Sequence, residues 1–229
     1  MVITVIIPVF NEVANLTQTL ATVIEGDNLE IIVVDGGSSD DTVAIALSHQ
    51  VKVIECNQPG RAQQMNTGAA IATGEILLFL HGDTLLPPDY SNQIRAIMRD
   101  TSMIGGAFSL AISGKKKILP WVAKMVNWRS RYLSLPYGDQ GIFLRKSTFQ
   151  TMGGFPDLPI MEDFQFILNL RKQGKIAILP STVITSGRRW QKLGILKTTL
   201  INQLVILGYF AGVKPEKLAT FYHQIKYKL

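Results

Sequence analysis

The sequence predicts an α/β fold in which helices cover both faces of a doubly wound, mostly parallel central sheet. Up to residue 80, short runs of apolar residues alternate with segments whose apolar residues recur every three or four positions. The connections between these segments are short, and strands that alternate with helices in this way pair in parallel. At 229 residues the chain is within the range of a single domain, which we expect to cover residues 1–229.

The elements can be placed in order from their hydrophobic patterns. Five consecutive apolar residues, Ile76 to Leu80, predict a strand that is buried on both faces. Apolar residues between Leu16 and Ile24 recur with the helical period, and Ser39 or Asp40 is expected to cap the next helix. In order, the predicted strands are 2–9, 30–34, 51–55, 76–80, 107–112, 142–144 and 176–179, and the predicted helices are 16–24, 43–47, 60–72, 88–99, 118–134, 162–170 and 193–213.

Charge is divided unevenly along the chain. The net charge is +6, but residues 1–114 carry a balance of −8 and residues 115–229 a balance of +14. A basic second half predicts an anionic surface or an anionic substrate as partner. Its basic residues follow no recognisable nucleic-acid-binding motif, and its apolar content favours a membrane surface, so we expect no nucleic acid. A solvated basic face without a partner is the alternative.

Composition predicts a cytoplasmic protein. No uncharged apolar run reaches the ~20 residues that span a bilayer. No basic segment precedes the first strand, so a secretory signal is not expected. Cys56 is the single cysteine of the sequence, which allows no intrachain disulfide and fits a reducing compartment.

A polar turn follows the predicted buried strand at 76–80. His81 and Gly82 lead to Asp83, a carboxylate just beyond the strand end. In open α/β sheets, ligands bind outside the carboxyl ends of the strands. A carboxylate there can hold a divalent cation, which usually also contacts the phosphates of a nucleotide. The alternative is that Asp83 caps the helix that follows Pro88.

Two common nucleotide-binding patterns are absent from the sequence. The dinucleotide pattern G-x-G-x-x-G would follow the first strand, where this chain has Asn11 and Glu12 instead. The phosphate-loop pattern G-x-x-x-x-G-K-[ST] does not occur either. Simple ATPase or kinase chemistry is therefore not expected.

Taken together, the motifs resemble those of the family 2 glycosyltransferases with the GT-A fold, over nearly the whole chain. Each motif is weak alone, but their order and spacing are specific. They are P-x-[YF]-N-E at 8–12, D-[DG]-G-S-x-D-x-T at 35–42, the helix start Gly60–Arg61 with Asn66 and Gly68, the D-x-D position at 81–83, G-G-F at 153–155 and E-D at 162–163.

The resemblance implies a metal-dependent, inverting glycosyltransferase that moves a sugar from a nucleotide-diphospho-sugar to an acceptor hydroxyl. Residues 1–114 would bind the donor and residues 115–229 the acceptor. Asp83 would hold Mg²⁺ or Mn²⁺ and contact the donor, and Asp163 would be the catalytic base. The other residues expected to contact substrate are Pro8, Asn11, Glu12, Asp35, Gly37, Ser38, Arg61, Asn66, His81, Gly82, Asp139, Gln140, Glu162, Arg189 and Trp190.

For several of these residues a structural role is the alternative. Arg61 at a helix start suits a diphosphate, because a helix N-terminus and a guanidinium both favour anions, but it could equally be a surface residue. Asn66 could serve helix packing. Glu162 and Asp163 are expected to face away from the core, although acids in a first helical turn are also favoured by the helix dipole. The apolar face of their helix would be Phe164, Ile167, Leu168 and Leu170.

The chain departs from the family pattern at two places. His81 replaces the first motif acid, and it could bind the metal, contact the ribose or stack. The segment from Arg188 to Gln191 matches only part of the Q-x-x-R-W motif of processive polysaccharide synthases. No membrane-spanning segments flank it, which argues against a processive enzyme.

Two other functions stay open at this point. A sugar-phosphate nucleotidyltransferase shares the nucleotide-binding layout, but its Gly-rich first loop with Arg and Lys is missing here. A sugar-nucleotide sensor, or a partner subunit without activity, would bind the donor without turnover. Hydrolysis of nucleotide sugars separates the enzyme from the sensor.

The basic second half also predicts where the protein acts. It carries Trp121, Trp128 and an apolar helix from Leu193 to Val213, which favour attachment to the inner face of an anionic membrane and a lipid-like acceptor. The alternative is that this helix packs on the sheet or on a second subunit of a homodimer.

Overall fold

The computed structural model describes residues 1–56, 60–188, 190 and 194–227. Its strands are β1 Ile3–Val9, β2 Leu29–Asp35, β3 Lys52–Glu55, β4 Ile76–Phe79, β5 Thr84–Leu85, β6 Met103–Ser113, β7 Ile142–Arg145 and β8 Lys175–Ser186. Its helices are α1 Leu16–Ile24, α2 Thr42–Ser48, α3 Arg61–Ile71, α4 Tyr90–Arg99, α5 Leu119–Leu133, α6 Lys146–Thr151, α7 Glu162–Gln173, α8 Ile195–Phe210 and α9 Pro215–Tyr227, with a short 3₁₀ helix at Gly138–Gln140.

The strands form one sheet in the order β3-β2-β1-β4-β7-β6-β8-β5. From β3 to β4 all neighbours are parallel, and β6 is parallel to β8. β7 is antiparallel to both of its neighbours, and β5 is antiparallel to β8. The predicted α/β fold is confirmed, but the sheet is mixed in its second half. The reason is that α5 runs back along the last residues of β6, so β7 starts level with the end of β4 and runs the opposite way.

Alternate residues of the central strands enter two separate cores. In β1, Val5 and Ile7 pack on one face and Ile6 on the other, and all three are fully buried. The first face is covered by α1, α4 and α5, and the second by α3, α6 and α7. Ile76 to Leu80 are all buried, as predicted. The covering of both faces by helices is therefore confirmed as well.

β8 is longer than the predicted strand at 176–179. It continues to Ser186 and pairs with β6 along its whole length, with a shift of register after Leu179. Pro180 and Ser181 form this irregularity, because proline has no N–H to donate to a neighbouring strand. Beyond it, Val183 and Thr185 point into the protein. The mixture of proline, serine and threonine conceals this extension from a hydrophobic pattern.

Three local predictions need correction. The residue at the N-cap of α2 is Asp41, although Asp40 Oδ1 accepts the first helical N–H, from Thr42, at 3.0 Å. The short strand β5 was not expected from the sequence. In α7 the predicted Phe164, Ile167 and Leu170 are buried together with Phe166, while Leu168 is only half-buried, because α7 packs on both the sheet and α8 and buries a wider face than a single stripe.

No helix within the described residues has the length and apolar character that crossing a bilayer requires. α8 matches most of the apolar helix predicted at 193–213. Its buried residues include Ile201 and Val205, while Leu204 and Leu207 on the other side are exposed. The helix therefore packs on the protein along one face.

Candidate active site

The loop after β2 is organised by Asp35. The Asp35 side chain is 2% exposed. Its Oδ2 accepts the backbone N–H groups of Gly37 and Ser38, each at 2.9 Å, and its Oδ1 accepts the Ser38 hydroxyl at 2.5 Å. Gly37 has a φ of +90°, which glycine adopts without strain. An ionised carboxylate offers about four acceptor positions, so about one is left for a ligand.

The loop after β1 is joined to the loop after β2. Asn11 Oδ1 accepts the N–H of Ser39 at 2.9 Å, and the N–H of Asn11 donates to Ser38 Oγ at 2.9 Å. The N–H of Glu12 donates to Thr42 Oγ1 at 2.8 Å. Pro8 is buried inside β1, opposite Val34. The predicted residues Asn11, Glu12, Gly37 and Ser38 therefore lie together, while Pro8 supports them from within the sheet.

Gln64 of α3 is part of this region and was missed by sequence reasoning. Its buried Nε2 donates to the carbonyl oxygens of Val9 and Val34, both at 2.8 Å, at the ends of β1 and β2. Gly36 approaches this amide so closely that an added Cβ would lie 3.0 Å from it. A buried glutamine on an otherwise apolar helix face is the sequence signal that could have revealed it.

The turn after β4 is fixed by backbone contacts. The Thr19 hydroxyl donates to the Gly82 carbonyl at 2.9 Å, and the N–H of Ser186 donates to the Asp83 carbonyl at 3.1 Å. An added Cβ at Gly82 would lie 3.1 Å from Val9, so little room exists for a side chain. The N-cap of α4 is Asp89. The alternative that Asp83 caps this helix is therefore wrong.

One guanidinium at this edge, that of Arg188, was not predicted. Arg188 Nη2 lies 3.2 Å from Asp83 Oδ2 and also forms a close ion pair with Glu12 Oε1. Burial raises the pKa of Asp83 above its ordinary value, and Arg188 opposes that rise. The contact joins the motif at 8–12, the D-x-D position at 81–83 and the end of β8. Glu12 and Arg188 are 176 residues apart in sequence, so no local pattern shows the contact.

Asp163 lies beside His81. Asp163 Oδ2 accepts the N–H of Gly138 at 2.8 Å, and Oδ1 accepts the N–H of Phe164 at 2.7 Å. A Cβ added at Gly138 would lie 2.9 Å from His81 Nε2 and 3.1 Å from Asp163 Oδ2, so both side chains approach this glycine. Burial, and secondly the positive charge of Arg61, hold the pKa of His81 well below its ordinary value. The imidazole is therefore neutral at pH 7 and can accept or donate a hydrogen bond.

Glu162 is buried and pairs with Arg61. Arg61 Nη1 lies 3.3 Å from Glu162 Oε1, with the arginine side chain 51% exposed. The prediction that Glu162 faces away from the core is wrong, because its side chain is buried. It is held there as the counter-ion of Arg61. Burial, and next the neighbouring Asp163 carboxylate, raise the pKa of Glu162. Because about half of the Arg61 side chain is exposed, an anion can reach the guanidinium.

Asp139 and Gln140, in the 3₁₀ helix, have different environments. Asp139 Oδ1 is buried without a hydrogen-bond partner among the described residues. Burial raises the pKa of Asp139 to about 6, although the charge of Arg129 opposes this rise. Gln140 is fully buried, donates to the Phe108 carbonyl at 2.8 Å and accepts the Ser130 hydroxyl at 2.8 Å. Gln140 is thus fully engaged within the protein, whereas Asp139 keeps an acceptor oxygen without a partner among the described residues.

Asn66 and Trp190 have contacts outside the residues described so far. Both ends of the Asn66 amide bond the backbone of Phe155 at 2.9 Å, which fixes the loop at 153–155. Trp190 is half-buried against the core, and its Nε1 has no partner among the described residues. Arg189 lies outside the described residues. The structural alternative for Asn66 is thus supported by its contacts.

A divalent cation fits this edge as a group shared with substrate. No three His, Cys, Asp or Glu side chains among the described residues are placed to enclose an ion. Mg²⁺ is usually bound by one or two carboxylates together with waters and substrate phosphates. The Asp83 carboxylate supplies oxygen ligands of the type that Mg²⁺ and Mn²⁺ prefer. Asp83 can therefore hold such an ion if a diphosphate supplies further ligands.

The known proteins that resemble this chain in sequence are glycosyltransferases. The model of the family "Glycosyl transferase family 2" matches residues 4–151. An uncharacterized glycosyltransferase of Haemophilus influenzae is 25% identical, with 98% of this chain and 94% of that protein covered. A PGL/p-HBAD biosynthesis glycosyltransferase of Mycobacterium bovis is 27% identical, with 87% and 80% covered. An uncharacterized glycosyltransferase of the same species is 27% identical over 134 residues. The matched part is 56% of this chain and 59% of that protein.

Solved structures share the fold. Residues 1–349 of TarS from S. aureus superpose with a TM-score of 0.68 at 20% identity, with 82% of this chain and 61% of that chain covered. TarS has also been solved with UDP-GlcNAc. The mannosyltransferase PcManGT from Pyrobaculum calidifontis, in complex with GDP-Man and Mn²⁺, gives a TM-score of 0.60 at 21% identity, with 80% and 56% covered. The GT-A fold expected from the motifs is thereby confirmed.

Replacing Asp139 by asparagine is expected to stabilise the protein at neutral pH. Because the pKa of Asp139 rises to about 6 on folding, its ionisation opposes the folded state. That cost is absent below about pH 3, where the carboxyl is protonated in both states, and is fully present above about pH 7. The free energy of unfolding in urea, measured across this range, should therefore favour Asp139→Asn increasingly as the pH rises.

The control for this measurement is Asp157→Asn, which removes an exposed carboxylate from the loop before α7. It should show no comparable growth of the difference with pH. The raised pKa would be contradicted if the free energies of unfolding of Asp139→Asn and wild type differed by the same amount over the whole pH range.

Proposed function

This chain belongs to glycosyltransferase family 2, and on that premise we propose that it is a metal-dependent, inverting enzyme that moves a sugar from a nucleotide-diphospho-sugar to an acceptor hydroxyl. The observation that carries the proposal is the meeting of Asp163, His81 and Gly138 at the sheet edge where Asp83 also lies. A candidate base and a candidate metal ligand thus share one edge. The loops after β1 and β2 form the adjoining surface.

The joined loops after β1 and β2 would receive the nucleoside. Asp35 has about one acceptor position left for an N–H of the base. The exposed Asn11 and the neighbouring Glu12, whose side chain is 14% exposed, would contact the ribose. The complexes of TarS with UDP-GlcNAc and of PcManGT with GDP-Man support a nucleotide sugar as the ligand of this fold.

Arg61 would bind the diphosphate. It begins α3 after Gly60, so a guanidinium and a helix N-terminus lie at the same place. Its contact with Glu162 holds one side of the guanidinium, and half of the side chain remains exposed. Asp83 would hold Mg²⁺ or Mn²⁺ at the other side. When bound, the ion supplies charge stabilisation to the diphosphate leaving group.

Asp163 would act as the general base. The acceptor oxygen attacks the anomeric carbon, its proton passes to the Asp163 carboxylate, and the bond from the anomeric carbon to the diphosphate breaks. One displacement of this kind inverts the configuration. The N–H groups of Gly138 and Phe164 each bond one oxygen of the carboxylate and hold its orientation. Neutral His81 beside it is placed to donate to or accept from the acceptor hydroxyl.

An amphiphilic acceptor is supported by the surface of α5. Trp121, Met125, Trp128 and Tyr132 form a stripe along this helix and are 57–73% exposed. The basic residues Lys115 to Lys117 and Lys124 lie next to it in sequence. A groove of about 560 Å³ runs between α5 and the ends of β6 and β8, lined by Leu110, Ile112, Trp128 and Tyr132 among others. Aromatic side chains beside basic ones suit an anionic membrane surface.

α8 contributes less to such a surface than the sequence suggests. One of its faces packs on the protein through Ile195, Ile201 and Val205, as the alternative interpretation expected. Its outer face keeps Leu200, Leu204, Leu207 and Phe210 exposed. We therefore place the main membrane contact at α5 and propose the inner face of an anionic membrane as the place of action.

The first prediction concerns the metal. Hydrolysis or transfer of a panel of UDP-, GDP- and TDP-sugars should require Mg²⁺ or Mn²⁺, and Asp83→Asn should remove that dependence together with most of the activity. The physical reason is that Asp83 is the carboxylate at the diphosphate position. Asp89→Asn, at the exposed N-cap of α4, is the matched control and should behave as wild type. Full activity in EDTA would contradict the metal proposal. Binding of a nucleotide sugar without turnover would indicate a sensor.

The second prediction concerns the base. Asp163→Asn should bind the nucleotide with normal affinity and transfer the sugar about 10²- to 10⁴-fold more slowly, because a general base contributes that much to a rate. Rate and affinity are measured on the same preparation. Asp157→Asn, in the exposed loop before α7, controls for the loss of a carboxylate. A rate within a fewfold of wild type would place the base elsewhere, with Glu162 or Asp139 as the next candidates.

The third prediction concerns the membrane. Wild-type protein should co-float with vesicles that contain anionic lipid, and high salt should release it, since each basic residue near such a surface contributes about 1 kcal/mol. The double variant Trp121→Ser with Met125→Ser should lose most of this binding. Leu47→Ser removes a similarly exposed apolar residue from α2 and should have no effect. Equal recovery with neutral and anionic vesicles would contradict the proposal.

A further inference from the structure

Arg188 makes a contact that neither the donor nor the acceptor explains. It lies just after β8, and its Nη2 reaches both Glu12 of the motif at 8–12 and Asp83 of the D-x-D position. The two carboxylates are 14% and 15% exposed, whereas the Arg188 side chain is 44% exposed. The guanidinium therefore covers two mostly buried carboxylates from the solvent side.

This contact competes with a metal ion for the same oxygen. Asp83 Oδ2 lies 3.2 Å from Arg188 Nη2, and a cation bound to that oxygen would face the positive guanidinium at short range. A divalent ion and Arg188 cannot both occupy this position. Arg188 must therefore leave Asp83 Oδ2 before that oxygen can bind a metal.

The backbone that carries Arg188 is anchored, whereas its side chain is 44% exposed. A Cβ added at Gly187 would lie 2.0 Å from the Ser113 carbonyl, so β6 and the end of β8 are in direct contact there. The partners of Arg188 are also anchored, because Glu12 Oε2 accepts the Asn15 amide at 3.0 Å and the Asp83 carbonyl accepts the Ser186 N–H at 3.1 Å. A change of contact at this position thus involves the arginine side chain, which is long and partly exposed.

We propose that Arg188 is a positioning residue that holds Glu12 and Asp83 together in the donor-free protein and moves to the donor's diphosphate when it binds, which frees Asp83 for the metal. A diphosphate offers the guanidinium two anionic groups in the geometry that arginine binds best. Nucleotide and metal binding are then coupled through one side chain. The inference rests on the proposed function, since it assumes a nucleoside diphosphate at this edge.

The proposal predicts effects of opposite sign for Arg188→Gln. Without nucleotide, the variant should bind Mn²⁺ about fivefold more tightly or better, because two adjacent carboxylates lose their guanidinium partner. In EDTA, the same variant should bind UDP or GDP about tenfold more weakly, because the diphosphate loses a charged hydrogen-bond donor. Free Mn²⁺ is measured by electron paramagnetic resonance and nucleotide affinity by calorimetry, so neither readout depends on turnover.

Three variants complete the experiment. Arg99→Gln removes the same charge from an exposed position in the last turn of α4 and should change neither affinity. Arg188→Lys keeps the charge and should bind Mn²⁺ as weakly as wild type. Adding Asp83→Asn to Arg188→Gln should abolish the gain in Mn²⁺ affinity. Thermal unfolding of each variant shows that it is folded.

Two results would overturn the inference. The first is an Arg188→Gln variant that binds Mn²⁺ no more tightly than wild type and Arg99→Gln. The second is a loss of affinity for both Mn²⁺ and nucleotide, which would indicate a general structural role. Either result leaves the proposed function standing if metal-dependent hydrolysis of a nucleotide sugar is observed. Failure of that hydrolysis is a separate outcome, measured on the wild-type protein.

Discussion

The balance of charge at one edge of the sheet is the constraint on which the site depends. Carboxylates converge there from five positions in the chain and would repel one another in a partly buried setting. Guanidinium groups offset them: Arg188 contacts two of the carboxylates, Arg61 contacts another, and Arg129 opposes the raised pKa of Asp139. The carboxylates are Glu12, Asp83, Asp139, Glu162 and Asp163. Because the two signs come from different elements, the fold itself creates the balance.

The mixed sheet is what brings the second half of the chain to this edge. β7 starts at the edge where β4 ends, so the 3₁₀ helix that precedes β7 lies directly against the strand ends. Its first residue, Gly138, has no side chain, and this absence lets the His81 imidazole and the Asp163 carboxylate approach each other. An all-parallel sheet would have placed the start of that strand at the opposite edge. Antiparallel insertion of one short strand thus completes the site.

Most of the fold and part of the site could be predicted from the sequence, and the division has a physical cause. Buried parallel strands are continuous apolar runs, so β1 and β4 are visible, and the carboxylates after them follow from the strand ends. The extension of β8 is hidden by Pro180, and the contacts of Arg188 and Gln64 are long-range. Gln140 appears polar in the sequence, yet tertiary hydrogen bonds bury it completely. Sequence patterns report local periodicity, whereas these features depend on segments that meet only after folding.

The uneven charge of the chain also contributes to the charge balance at this sheet edge. Residues 1–114 carry a balance of −8, and by itself such a surface would repel a diphosphate. Within that half, Arg61 is the cation at the helix start nearest the cluster, and Glu162 already contacts it. The second half supplies Arg188 and Arg129 to the same edge, so part of its +14 balance lies at the proposed donor site. The two halves therefore depend on each other electrostatically: the acidic half positions the carboxylates, and the basic half makes the edge acceptable to an anion.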